Sequence, residues 1–134
     1  MLIRSEKEMM NLGEEYAKQL TAPPVIELIG DVGAGKTTFV RGLAKALGIK
    51  ESLSSPSFTI SRAYAGTKYT LIHYDFYRLT DPGLMSEDLS ESITDPHAIT
   101  VIEWGQSIAD LLPENTKKIT IKYVDENSRE VEYA

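Results

Sequence analysis

The residues of this chain that could do chemistry are concentrated in one run, Gly30-Asp31-Val32-Gly33-Ala34-Gly35-Lys36-Thr37, which fits the pattern G-x-x-x-x-G-K-[ST]. Glycines at 30, 33 and 35 permit backbone angles closed to other residues and let phosphate oxygens approach the amide N–H groups. The ammonium and hydroxyl that follow are what a polyphosphate and its Mg²⁺ require. Lys36 is expected to bridge the β- and γ-phosphates, Thr37 to coordinate the metal, and Thr38 to lie near the α-phosphate. The metal also needs an acid at a neighbouring strand end. Asp75 closes the apolar run Leu71-Ile72-His73-Tyr74, and Glu103 closes Ile99-Thr100-Val101-Ile102. Spacing alone does not choose between them. Both are expected in the site, one near the metal and one orienting water.

A phosphate loop works only if a strand delivers the chain to it and a helix leaves it. Val25 to Ile29 supplies an apolar strand, and Lys36 to Leu47 holds no proline before the stop at Gly48. Upstream, Ser5 to Leu20 predicts an amphipathic helix opened by a Ser5/Glu8 capping box, with Met9, Leu12, Tyr16 and Leu20 on its apolar face. Downstream, Phe58 to Ala65 and Lys68 to Tyr74 predict an antiparallel hairpin turning at Gly66-Thr67. Asp81-Pro82 predicts a helix start, continued by Met85, Leu89 and Ile93. Gly105 to Leu112 predicts a helix stopped by Pro113. Lys117 to Val124 and Arg129 to Tyr133 predict a second hairpin. These elements specify an α/β protein: a P-loop NTPase-like three-layer sandwich with a mostly parallel sheet and antiparallel hairpin additions. Residues 1–134 are expected to form one domain.

Composition narrows the function. The 134 residues carry a net charge of −6 and no cysteine, which excludes disulfides and thiolate chemistry. Two histidines, His73 and His97, do not suggest a structural metal site. Arg4, Glu6, Lys7 and Glu8 interrupt any secretory pattern, and no segment is long and apolar enough for a bilayer, so a cytoplasmic protein without membrane contact is expected. No basic cluster suits direct gripping of nucleic acid. An Asn-Lys-x-Asp guanine reader is missing, because Asn115-Thr116-Lys117-Lys118 lacks the aspartate, which makes ATP the expected nucleotide. The hydroxyl-rich stretch Ser54 to Thr59 occupies the place of a nucleotide switch. Trp104, as a plain core aromatic, and His73, as a hydrogen-bonded strand residue, are the simplest readings of those side chains. The acidic face of Glu87, Asp88 and Glu91 is expected to be solvated.

Four segments in order, GDVGAGKTTFVRG (Gly30 to Gly42), SPSF (Ser55 to Phe58), HYDFYRL (His73 to Leu79) and IEW (Ile102 to Trp104), resemble the TsaE family. The resemblance spans about residues 5 to 125. It implies an ATPase that acts with TsaB and TsaD in forming threonylcarbamoyladenosine on tRNAs that read ANN codons, meeting tRNA only through those partners. It also implies that Glu103 is a metal-site acid, that Asp75 is the other essential acid, and that Trp104 adjoins the nucleotide. The family's S-P-T-F is S-P-S-F here, so Ser57 keeps the hydroxyl and loses the methyl. Two rivals remain at this point: a small-molecule P-loop kinase, and an ATP-dependent assembly switch with little turnover of its own.

Overall fold

The computed structural model describes residues 1–20, 23–31, 33–53, 60–77 and 86–133, with the backbone alone at 106–107. Seven strands make one sheet: β1 (Leu2–Ile3), β2 (Val25–Ile29), β3 (Ser61–Ala65), β4 (Thr70–Asp75), β5 (Ala98–Glu103), β6 (Lys117–Asp125) and β7 (Ser128–Tyr133). Their order is β1-β7-β6-β2-β5-β4-β3. The central four, β6, β2, β5 and β4, run parallel, while β3, β7 and β1 are antiparallel additions. This is the expected mostly parallel sheet with hairpins at its edges.

Helices cover both faces. Against one face lie α1 (Glu6–Lys18) and α2 (Lys36–Ala46), where Met9, Ala17, Phe39, Val40 and Leu43 meet Ile26, Leu28, Ile99, Val101 and Ile119. Against the other lie α3 (Ser86–Thr94) and a 3-10 helix (Gly105–Leu111), where Leu89 and Ile108 meet Val25, Tyr74 and Ile102. A strand covered on both sides must be apolar on both sides, and every residue of β5 is buried. Polar links tie α3 down: the Tyr74 hydroxyl donates to the Asp88 carboxylate at 2.6 Å, and Ser92 Oγ meets Thr100 Oγ1 at 2.5 Å. Asp88 is therefore a partner of the sheet rather than part of a purely solvated face.

The seam between α1 and α2 is a backbone contact. A Cβ at Gly42 would stand 2.0 Å from the Met10 carbonyl oxygen, and one at Gly13 would stand 2.2 Å from that of Phe39. Only glycine lets the two helices cross this closely.

Several boundaries differ from expectation for local reasons. The capping box of α1 is offset: Ser5 Oγ accepts from the Glu8 amide at 3.0 Å, but the Glu8 carboxylate takes the Arg4 amide rather than that of Ser5. Ile60 has φ 69°, which ends any extended run there, so β3 starts at Ser61. The helix expected after β5 is present as a 3-10 helix, Gly105–Leu111, which Trp104 enters left-handed and in which Ile108 leaves helical angles. The two-residue β1 was not anticipated. The expected helix start at Asp81-Pro82, Met85 and the hydroxyl-rich 54–59 stretch lie outside the described residues. Among the described residues no helix is long and apolar enough to cross a membrane.

Candidate nucleotide site

β2 delivers the chain to the loop, and α2 leaves it with Gly35 as N-cap at φ 108° and no side-chain cap. Gly33, at φ 82°, is also left-handed. By contrast α1 is capped by Ser5 and carries Glu6 and Glu8 in its first turn, whereas the first turn of α2 has no acid. The leading N–H groups of α2 thus remain available to an anion, with the positive end of the helix dipole behind them. Gly30 plays a different part from the one expected. Its φ is not positive, and a Cβ there would stand 2.5 Å from the Ile121 carbonyl oxygen, so the closeness of β6 requires this glycine.

Lys36 is buried at 6% exposure, and three groups hold its ammonium. It donates to the Gly30 carbonyl at 2.6 Å, lies 3.5 Å from Glu103 Oε1, and sits 4.4 Å from the Trp104 ring centroid. Parallel register places Asp75 directly opposite Glu103. Side-chain alternation along β4 and β5 puts both carboxylates on the face that carries α2. Asp75 is 4% exposed, and its Oδ1 accepts the Tyr77 amide at 3.0 Å. His73 Nε2 meets Glu103 Oε2 at 2.5 Å, with both groups buried. His73 is thus a hydrogen-bonded strand residue on one side of its ring only, since Nδ1 is buried without a partner.

Burial pushes the Glu103 carboxyl upward, but the His73 hydrogen bond and the Lys36 ammonium outweigh it, so the carboxyl titrates below its usual range. Trp104 has φ 58° and ψ 47°, which turns the chain sharply after Glu103 and lays the indole over Lys36. Tyr77 packs on that indole with ring centroids 4.8 Å apart. Trp104 is therefore only half-buried and belongs to the site wall as well as to the core edge.

A cavity of about 960 Å³ lies over the loop, and Gly33, Gly35, Lys36, Thr37, Thr38, Asp75, Glu103 and Trp104 all line it. Gly30 and Asp31 line a smaller cavity of about 340 Å³ instead, and the Ala34 side chain is buried. Val32, Ser57 and Arg78 lie outside the described residues. The opposite rim of the large cavity comes from segments that sequence reasoning did not connect to the loop: Ile3 to Lys7 and Met9, and the turn at Glu126-Asn127. Arg129 was also missed. Its Nε donates to the Ala34 carbonyl at 3.1 Å and its Nη2 to that of Gly33 at 3.3 Å, while Nη1 holds the Asp125 and Ser128 carbonyls. No local signal marks an arginine that braces a loop 95 positions earlier.

Among the described residues no cluster of three or more His, Cys, Asp or Glu could hold a metal by itself. Mg²⁺ that arrives on a nucleotide does not need one, because one or two carboxylates and a hydroxyl beside phosphate oxygens suffice. Thr37, Asp75 and Glu103 around one cavity meet that requirement.

Comparison with known proteins places the chain in a family. A family model described as threonylcarbamoyl adenosine biosynthesis protein TsaE matches residues 3–131. The chain is 36% identical over 131 residues to the tRNA threonylcarbamoyladenosine biosynthesis protein TsaE of Treponema pallidum, covering 98% of this chain and 96% of that one. It is 39% identical to that of Aquifex aeolicus, covering 98% and 92%. Among solved structures it is similar to YdiB of Bacillus subtilis, with a TM-score of 0.79 and 30% identity over 98% of this chain and 80% of that one.

Proposed function

The chain belongs to the TsaE family of threonylcarbamoyladenosine biosynthesis proteins, and from that premise we propose that it binds and hydrolyses Mg²⁺–ATP at the loop between β2 and α2. In this reading it serves TsaB and TsaD as they modify tRNAs that read ANN codons. One observation carries the ATPase reading: Lys36, Asp75 and Glu103 converge on one cavity at the mouth of an uncapped helix. Each has a role there. Lys36 exchanges the Gly30 carbonyl and Glu103 for phosphate oxygens, Thr37 and Glu103 hold the metal, and Asp75 orients the attacking water. Bound Mg²⁺ supplies charge neutralisation to the β- and γ-phosphates.

Slow turnover by the protein alone is expected in this reading, and the contacts of Arg129 are consistent with it. The Arg129 guanidinium, although it lines the cavity, is occupied with four backbone carbonyls and braces the loop. A net charge of −6 fits a protein that meets tRNA through its partners. The test is reconstitution: ATP turnover and threonylcarbamoyladenosine formation are measured with TsaB and TsaD added singly and together. Stimulation by the pair supports the reading, and turnover indifferent to both refutes it. ADP release matched by a phosphorylated small molecule would identify a kinase. Sustained modification by a Glu103→Ala variant that binds ATP without hydrolysing it would identify an assembly switch.

A further inference from the structure

We propose that His73 is a positioning residue that fixes the orientation of the Glu103 carboxylate, an inference that rests on the Mg²⁺–ATP reading above. His73 lies on β4 two residues before Asp75 and is paired in register with Val101, two residues before Glu103. Its ring therefore lies on the same sheet face as both acids, beneath them. Glu103 does not line the cavity alone, but His73 does not line it at all. At 1% exposure the imidazole is sealed from any ligand and acts only through the side chain it touches.

The two oxygens of Glu103 have separate partners: Oε2 meets His73 Nε2 at 2.5 Å, and Oε1 faces Lys36 Nζ at 3.5 Å. When Lys36 turns to phosphate oxygens, Oε1 loses its cation. A glutamate held at that end alone would swing after the ammonium and compete with the phosphate for it. The hydrogen bond from His73 prevents this by pinning Oε2 from a neighbouring strand, which leaves Oε1 presented to the cavity. The other ring nitrogen carries the same message. Nδ1 is buried without a partner, so a proton there would have no acceptor, and the ring's proton belongs on Nε2 where a carboxylate takes it. An orienting partner behind a metal-binding carboxylate typically changes metal affinity by about 10–100-fold.

The experiment compares wild type with His73→Gln, whose amide nitrogen reaches the position of Nε2, and His73→Asn, whose amide reaches only that of Nδ1. ADP affinity is measured by calorimetry without metal, and Mg²⁺ is then titrated into the ADP-loaded proteins with Trp104 emission as the readout. Expected results are unchanged metal-free ADP affinity in both variants, Mg²⁺ affinity at least about tenfold weaker in His73→Asn, and recovery in His73→Gln. Wild-type Mg²⁺ affinity in His73→Asn, or equal loss in both variants, overturns the inference and makes His73 a packing residue. Absence of any Mg²⁺-dependent nucleotide binding in the wild type is a separate result that overturns the underlying reading and the inference with it. Should the variants not fold, nitrogen NMR of wild-type His73 decides: a proton on Nε2 supports the role, and a ring protonated on Nδ1 alone overturns it.

Discussion

Replacing Gly42 by alanine sets two effects of opposite sign against each other. Alanine is the better helix former by about 1 kcal/mol, which on propensity alone would stabilise α2. The new Cβ, however, would stand 2.0 Å from the Met10 carbonyl oxygen, 2.9 Å from its carbon and 3.1 Å from the Glu14 amide nitrogen. All three are backbone atoms, so no side-chain rotation relieves the contact. Restoring an ordinary separation near 3.4 Å requires α1 and α2 to part by about 1.4 Å, and a gap of about 1 Å already forfeits up to half of each dispersion well along the seam. Overpacking of this kind falls at or above the upper end of the usual range of about 1–3 kcal/mol. The net expectation is a loss of about 2–3 kcal/mol, seen in a thermal scan as a fall in Tm of roughly 7–10 °C for a chain of this length. Gly13→Ala, which meets the Phe39 carbonyl oxygen at 2.2 Å, should behave alike. Because both open the same seam, the double variant should lose less than the two separate losses combined. A Gly42→Ala protein as stable as wild type would refute the reasoning, since propensity would then have won.

Lys36→Ala should lower ATP affinity by at least about a hundredfold in calorimetry, since it removes a buried cation at the loop mouth. Unchanged affinity would place the nucleotide elsewhere. Trp104 is the sole tryptophan and its ring lies 4.4 Å from Lys36 Nζ, so its emission should change when Mg²⁺–ATP draws the ammonium away. An unresponsive spectrum would mean that the indole and ammonium stay stacked. The Glu103 carboxyl titrates below its ordinary value of 4.5, so its contribution to stability is complete above that pH and is lost as pH falls through the lower folded-state value. The stability difference between wild type and Glu103→Gln should therefore stay flat from neutrality to about pH 5 and shrink in stronger acid. A difference that grows on acidification would contradict the assignment.

What the amino-acid order made legible was local. The loop, its strand and its helix are contiguous in sequence, and Asp75 and Glu103 each announce themselves as the acid closing an apolar run. Their adjacency was not legible, because it depends on β4 and β5 pairing in parallel with Asp75 opposite Glu103. The same holds for His73 and its carboxylate partner 30 positions away, and for Arg129 and the loop carbonyls. Gly13 and Gly42 look like two weak points in two helices until the helices cross. The left-handed turn at Trp104 carries no sequence signal either, since tryptophan is not a residue that favours it.

The position of β2 has a consequence for how the molecule comes to exist. The strand that carries the loop is flanked by β5 and β6, whose partner residues lie 75 and 91 positions later at Val25–Thr100 and Ile26–Lys117. As the chain is synthesised, the loop and α2 emerge early with no sheet to join. Val25 to Ile29 stays an unpaired apolar segment until β5, and then β6, has left the ribosome. Such long-range parallel pairing has high contact order and folds slowly compared with local helical structure. The candidate site is therefore assembled late in this protein's synthesis, and the interval before β6 arrives is when the exposed β2 segment is most open to aggregation.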